Sequence, residues 1–256
     1  MFSKAIVRQP SPNFAEGLTS VDLGVPDFET ALLQHKAYCD ALVRCGVSLI
    51  HLDADPAYPD STFVEDTAIL TESRAVIMQP GAPSRRGEIL GMADTLSKHY
   101  DKLDFVQPPG RIDGGDVCRI ENNFLIGISE RTNKEGAHQL SQYLQSAGFT
   151  TYYVDIRGLN SLLHLKSGVS YLGGNRVLVT DDLAAEDVFE GFRLVDVPEG
   201  EEYAANCIRV NDHLLIAAGF PKLRNTLDTL GYELIELEMS EFQKMDGGLS
   251  CLSLRF

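Results

Sequence analysis

Apolar and polar positions along the chain fall into one short plan that recurs. Residues 67–70 and 75–78 read as the two strands of a hairpin. Residues 84–100 carry Ile89, Met92, Ala93 and Leu96 at helical spacing, and residues 103–106 read as a third strand. The plan returns with strands at 117–120 and 124–127. A capping box of Thr132 and Glu135 then opens a helix with Ala137, Leu140, Tyr143 and Leu144 on one face, and a strand follows at 152–156. A third copy has strands at 168–172 and 176–179, a short helix near 183–190 and a strand at 192–195. A fourth has strands at 207–210 and 213–216, a helix begun at Pro221 and stopped near Gly231, and a strand at 232–235.

The remaining segments supply the parts of a fifth unit. A strand at 4–8 leads through a polar stretch, 9–23, that reads as a mobile surface loop. Asp27 caps a helix whose apolar face includes Phe28, Ala31, Leu32, Tyr38, Ala41, Leu42 and Cys45, with Gly46 as its stop and a strand at 47–52 beyond. A second capping box, Ser240 and Gln243, starts a short helix that ends at Gly247. Leu252 and Leu254 alternate with Ser253 and Arg255, which predicts a last strand opened by Cys251. Units this small cannot bury their cores alone, and a unit shared by both ends of the chain favours a closed ring over an ordinary α+β sandwich. The expected fold is an α/β propeller of five ββαβ repeats with pseudo-five-fold symmetry. Its ring is closed by the C-terminal strand, and it forms a single domain over 1–256.

Composition narrows the class of function. The 44% hydrophobic content suits a sizeable core, no apolar run is long enough to span a bilayer, and the first residues lack a signal-peptide apolar region, so the expected compartment is the cytoplasm. The five cysteines, at 39, 45, 118, 207 and 251, form neither a disulfide framework nor a paired zinc pattern. A net charge of −15 weighs against nucleic acid and anionic membrane as partners and favours a cationic small molecule.

The repeat gives the polar residues a common register. Just before or at the first strand of each unit stand Glu65 and Asp66, Asp113 with Asp116, His164, Asn206, and Cys251, roughly 45 residues apart. Equivalent positions in a ring point to one axis, so carboxylates, a histidine and a thiol are expected in one channel. Singly, each has a plain structural account. Buried cysteines are inert, which is the reading for Cys39, Cys45, Cys118 and Cys207; a histidine among leucines is a packing residue; Asp-Gly-Gly-Asp is a turn. Together they form a set with a chemical logic. Carboxylates beside a thiol oppose its ionisation, and a guanidinium has planar donors matched to carboxylates and a charge that offsets theirs. Cys251 is the nucleophile of this reading.

Seven short motifs stand in order: DSTFVED at 60–66, SRRGE at 84–88, DGGD at 113–116, SERTN at 129–133, LHLKS at 163–167, YAANC at 203–207 and DGGLSC at 246–251. In these the chain resembles the guanidine-modifying (pentein) superfamily of five-bladed α/β propellers, and within it the dimethylarginine dimethylaminohydrolase family, over essentially its whole length. The resemblance implies that Cys251 attacks a guanidinium carbon and that His164 protonates the departing amine and then activates water. Asp66 and Asp113 grip the guanidinium nitrogens, Asp60, Arg85 and Arg131 hold the amino-acid end, and Leu18 sits on a lid. Phe63, Glu65 and the Met245 backbone lie near substrate. The implied products are citrulline and dimethylamine or methylamine, through a covalent Cys251 thiouronium, with no metal or organic cofactor. A homodimer is left open, as is the preferred methylated guanidine. Some bacterial relatives carry glutamate where Asp113 stands, so pocket reach differs by one methylene. An arginine deiminase or amidinotransferase, typically a longer chain, is the nearest alternative. A binding-only propeller of the same fold lacks the Cys-His-carboxylate set.

Overall fold

The middle strand of each expected unit is apolar at nearly every position, and the structure shows why. In the computed structural model, which describes residues 1–159 and 161–256, these strands are buried on both faces. The chain begins with β1 (Lys4–Arg8), α1 (Phe28–Arg44) and β2 (Ser48–Leu52), then repeats a four-part order. The first repeat is β3 (Ala68–Leu70), β4 (Ala75–Ile77), α2 (Ile89–Leu96) and β5 (Leu103–Phe105). The second is β6 (Val117–Ile120), β7 (Asn123–Ile128), α3 (Lys134–Ser146) and β8 (Thr150–Asp155). The third is β9 (Val169–Gly173), β10 (Arg176–Val179), α4 (Asp181–Ala184) and β11 (Arg193–Asp196). The fourth is β12 (Ile208–Val210), β13 (His213–Ala217), α5 (Pro221–Thr229) and β14 (Glu233–Leu237), followed by α6 (Ser240–Gln243) and β15 (Leu254–Arg255).

Among the described residues five three-stranded sheets result, each with one antiparallel pair and one parallel pair joined through a helix. The split unit obeys the same rule: β1 lies antiparallel to β15, with Ala5 opposite Arg255, and parallel to β2, with Ala5 opposite Leu49. Side-chain alternation then divides every middle strand between two cores. Leu214 and Ile216 of β13 pack with Leu178 and Val195 of the unit before, whereas Leu215 and Ala217 pack with Val7, Tyr38 and Leu42 of the split unit. Ile6 of β1 packs with Ile77 and Met92, Val76 of β4 with Ile126 and Leu140, and Leu125 of β7 with Val177 and Val179. Each of the five clusters therefore draws on two neighbouring units. No helix among the described residues is long and apolar enough to cross a membrane.

Asp27 caps α1 by accepting from the Thr30 N–H, Gly46 takes the left-handed conformation beyond it, and Pro221 opens α5, all as expected. Several expectations need correction. Cys251 does not open a strand; it lies in a 3-10 turn, Ser250–Leu252, because Ser250 is held by side chains of other units. The helix expected over 84–100 is reduced to α2 and preceded by a 3-10 turn, Pro83–Arg85, from which Arg85 turns inward to buried acceptors. Thr132 caps nothing: Asn133 caps α3, and the Thr132 hydroxyl donates to buried Asp116. Ser240 lies inside α6, with Met239 at the cap position, and its hydroxyl engages Gln34 and Glu241. The loop at 9–23 is anchored: Phe14 is buried against Phe63 and Phe242, Leu18 N–H donates to Asp60, and Ser20 N–H donates to Asp246.

Candidate active site

A 3-10 turn precedes the first strand of every unit: Val64–Thr67, Gly114–Asp116, Leu165–Ser167, Glu202–Ala205 and Ser250–Leu252. Asp66 lies in the first turn and Cys251 in the last. Asp113 and His164 each stand one residue before theirs, and Asn206 one residue after. Neighbouring turns touch, and glycine makes the approach close enough. A Cβ on Gly114 would stand 2.0 Å from the Glu65 carbonyl, and one on Gly115 would stand 2.8 Å from the His164 ring.

One pocket opens over these turns. Asp66, His164 and Cys251 line it together with Asp60, Phe63, Arg85, Arg131, Met245 and the half-exposed Leu18. Leu163, Asp246 and Gly247 also line it, three residues that the sequence reading did not single out. The signal for Asp246 and Gly247 was present in the DGGLSC motif; Leu163 follows from its place beside His164. Two expected site residues lie behind the pocket wall. Asp113 is fully buried and reaches the pocket through His164, whose Nε2 is 3.2 Å from its Oδ2. Glu65 points away, accepting from Lys166 Nζ and from the Ser250 hydroxyl. Asn206, in the shared register, does not line the pocket either.

Arg85 is wholly engaged by protein acceptors. Its Nη1 donates to Asp66 Oδ2 at 2.5 Å, its Nε and Nη2 to the two oxygens of Glu88, and its Nη2 also to the Phe63 carbonyl. Its place is therefore beneath Asp66. Arg131 is different: its side chain is about a fifth exposed, and among the described residues its one carboxylate partner is Asp113, at 3.9 Å. Asp60 accepts from Leu18 N–H, which ties the loop at 9–23 to the pocket lining.

Electrostatics separate the titratable groups. Burial alone would raise Asp66, but Arg85, His164 and the Gly115 N–H outweigh it and hold the carboxyl down at about 2. For Glu88, on the same guanidinium, burial wins and the carboxyl rises. Burial likewise raises Asp60 against the pull of Arg85. Burial would lower His164, but Asp116, Asp113 and Asp66 outweigh it and raise the imidazolium to about 9. Cys251 is pushed up to about 12 by burial and then by the Glu65 and Asp66 carboxylates, against the opposing Gly248 N–H at 3.4 Å. At neutral pH the pocket thus pairs a charged imidazolium with an un-ionised thiol. Because the folded pKa of His164 is raised, its contribution to stability is complete below about 6.5 and fades as pH rises through about 9. An NMR titration of the His164 ring is expected to show a midpoint near 9, and a midpoint below 6.5 would contradict this electrostatic account.

Asp66, Asp113 and His164 each bring a potential ligand atom within 4.8 Å of the other two. These are donor types a divalent cation accepts. However, Asp66 already takes Arg85 and Gly115, and Asp113 takes Gly81 N–H and His164, so the set is better matched to planar N–H donors than to a metal.

Known proteins place this arrangement. The family model described as arginine deiminase matches residues 54–214. The N(G),N(G)-dimethylarginine dimethylaminohydrolase of Pseudomonas aeruginosa is 42% identical over 100% of both chains. The chain belongs to the dimethylarginine dimethylaminohydrolase family. The Streptomyces coelicolor protein of the same name is 37% identical over 98% of this chain and 96% of its own. A solved structure of the Pseudomonas aeruginosa family member, a serine-for-cysteine mutant complexed with citrulline, superposes with a TM-score of 0.97 over 100% of both chains. Family membership makes this chain a hydrolase.

Proposed function

We propose that this protein hydrolyses Nω-methylated arginines, asymmetric dimethylarginine and monomethylarginine, to citrulline and dimethylamine or methylamine. The observation that carries the reading is a thiol held un-ionised by burial and neighbouring carboxylates in a pocket it shares with a charged imidazole. A bound guanidinium offsets those carboxylates and favours the thiolate, whose proton passes to solvent. Cys251 Sγ adds to the guanidinium carbon, and the C–N bond to the methylated nitrogen breaks as His164 gives that nitrogen its proton, leaving a thiouronium. His164, now neutral, takes a proton from water as its oxygen adds to the same carbon. The C–S bond then breaks, the added hydroxyl gives up its proton to the departing sulfur, and citrulline leaves.

Asp66 accepts guanidinium N–H groups, with Arg85 beneath it fixing its orientation. Asp113 keeps the His164 ring turned to the pocket, Arg131 holds the substrate carboxylate, Asp60 takes its ammonium, and Leu18 covers the mouth, with Phe63 and Met245 against the alkyl chain. Glu65, behind the wall, supports the Cys251 turn through Ser250. The five units close a ring around this pocket; the support is the pairing of β1 with β15 and the sharing of every cluster between neighbours.

The arginine deiminase match keeps one second reading in play, hydrolysis of unmethylated arginine. Citrulline release from asymmetric dimethylarginine, monomethylarginine and arginine, measured side by side, decides between them. The expected result is turnover of both methylated substrates, with arginine at least about tenfold poorer in kcat/KM. Turnover of arginine alone makes the protein a deiminase, and no citrulline from any of the three defeats the proposal.

A further inference from the structure

Asn206 occupies, in its unit, the position that Asp66, Asp113, His164 and Cys251 occupy in theirs, and its amide is buried and committed. Oδ1 accepts from the Ser250 N–H at 2.9 Å. Nδ2 donates to the Lys166 carbonyl at 3.0 Å and to the Ser250 hydroxyl at 3.0 Å. One side chain therefore joins the residue before the nucleophile to the turn that begins at His164. The fit is close: a Cβ on Gly248 would stand 2.6 Å from the Asn206 amide carbon and oxygen. From the same turn, the Tyr203 hydroxyl donates to the Gly247 carbonyl at 2.8 Å. The backbone held in this way ends in the Gly248 N–H that donates to Cys251 Sγ at 3.4 Å.

We propose that Asn206 is a positioning residue for the nucleophile: it fixes residues 247–250 so that the Gly248 N–H is aimed at the Cys251 sulfur and favours its thiolate. The charged and titratable groups whose fields reach the sulfur come from three turns. Glu65 and Asp66 stand before β3, His164 and Lys166 before β9, and Tyr203 before β12. The carboxylates oppose the thiolate and Lys166 favours it. The Gly248 N–H is a neutral donor whose aim depends on its backbone alone. Without the amide, Ser250 N–H and the Lys166 carbonyl lose their partner, residues 247–250 relax, and the sulfur loses alignment with that donor.

The test uses Asn206→Ala with Asn206→Ser beside it, both checked by thermal unfolding. The first readout is the rate of Cys251 alkylation by iodoacetamide over roughly pH 7 to 10, followed by mass spectrometry of the peptide that contains it. In Asn206→Ala the rate is expected to fall about 3- to 10-fold at every pH, with Asn206→Ser between alanine and wild type. The second readout is turnover of asymmetric dimethylarginine: kcat falls about 10- to 100-fold while KM changes less than about threefold. Folded variants that alkylate at the wild-type rate overturn the proposal. So does a loss carried by KM, or one that only tracks the unfolded fraction. The kinetic readout rests on the proposed hydrolase activity and the alkylation readout does not, so an inactive wild type defeats that activity while the role of Asn206 is still decided.

Discussion

Cys251→Ser is expected to reduce citrulline formation to less than about one part in a thousand while leaving the fold intact. The substitution keeps the size of the side chain at a partly exposed position, so the unfolding free energy is expected to change by less than about 1 kcal/mol. The chemistry changes far more. The same burial and carboxylates that push the thiol to about 12 also disfavour an alkoxide, which starts from a much higher pKa. A guanidinium can bring the thiol into range; the alcohol stays protonated and attacks poorly. A citrulline assay beside a thermal melt reads both quantities. A folded Cys251→Ser protein turning over near the wild-type rate would remove the covalent mechanism.

The second large effect concerns stability. Arg85→Met is expected to cost about 3–5 kcal/mol, which for a chain of this size lowers the unfolding temperature by roughly 10 °C. Arg85 is the shared cation of two buried carboxylates, Asp66 and Glu88, and methionine leaves both unpaired. The pH dependence has a definite sign. Asp66 is depressed to about 2, so its contribution is present above the ordinary carboxylate range and is lost as pH falls toward 2. The gap between variant and wild type is therefore widest near neutrality and narrows as pH falls below about 4. Thermal melts across that range measure it. A loss below about 1 kcal/mol, with only KM raised, would place Arg85 on the substrate carboxylate instead of beneath Asp66.

Much of this architecture was legible in the sequence, and for a physical reason. Strands buried on both faces leave short apolar runs, such as Phe124 to Ile126, and these recurred with a helix at a steady interval. The same interval put Asp66, Asp113, His164 and Cys251 in register, and the structure brings Asp66, His164 and Cys251 to one pocket with Asp113 behind His164. Partnerships distant in sequence could not be read. The commitment of Arg85 to Phe63 and Asp66, the turning of Thr132 to Asp116, and the burial of Glu65 against Ser250 depend on units meeting in space. Local pattern failed where such bonds competed with it. Thr132 and Ser240 had the spacing of capping boxes, and Cys251 the alternation of a strand, but distant partners claimed their segments. Asn206 shared the register and missed the pocket because its amide is consumed within the turns themselves.

The division of labour inside each unit has an evolutionary side. Strands and helices supply the shared cores, while one side chain at the turn before the first strand supplies an acid, a base, a thiol or an amide. Most of the apolar burial lies in the strands and helices and most of the pocket's polar groups in the turns, although the turns also carry buried ion pairs such as Asp66 with Arg85. A lineage built on this scaffold can exchange one turn residue, and with it one chemical role, while the strands keep their shared clusters. Its reactions can diversify one turn at a time on an inherited frame.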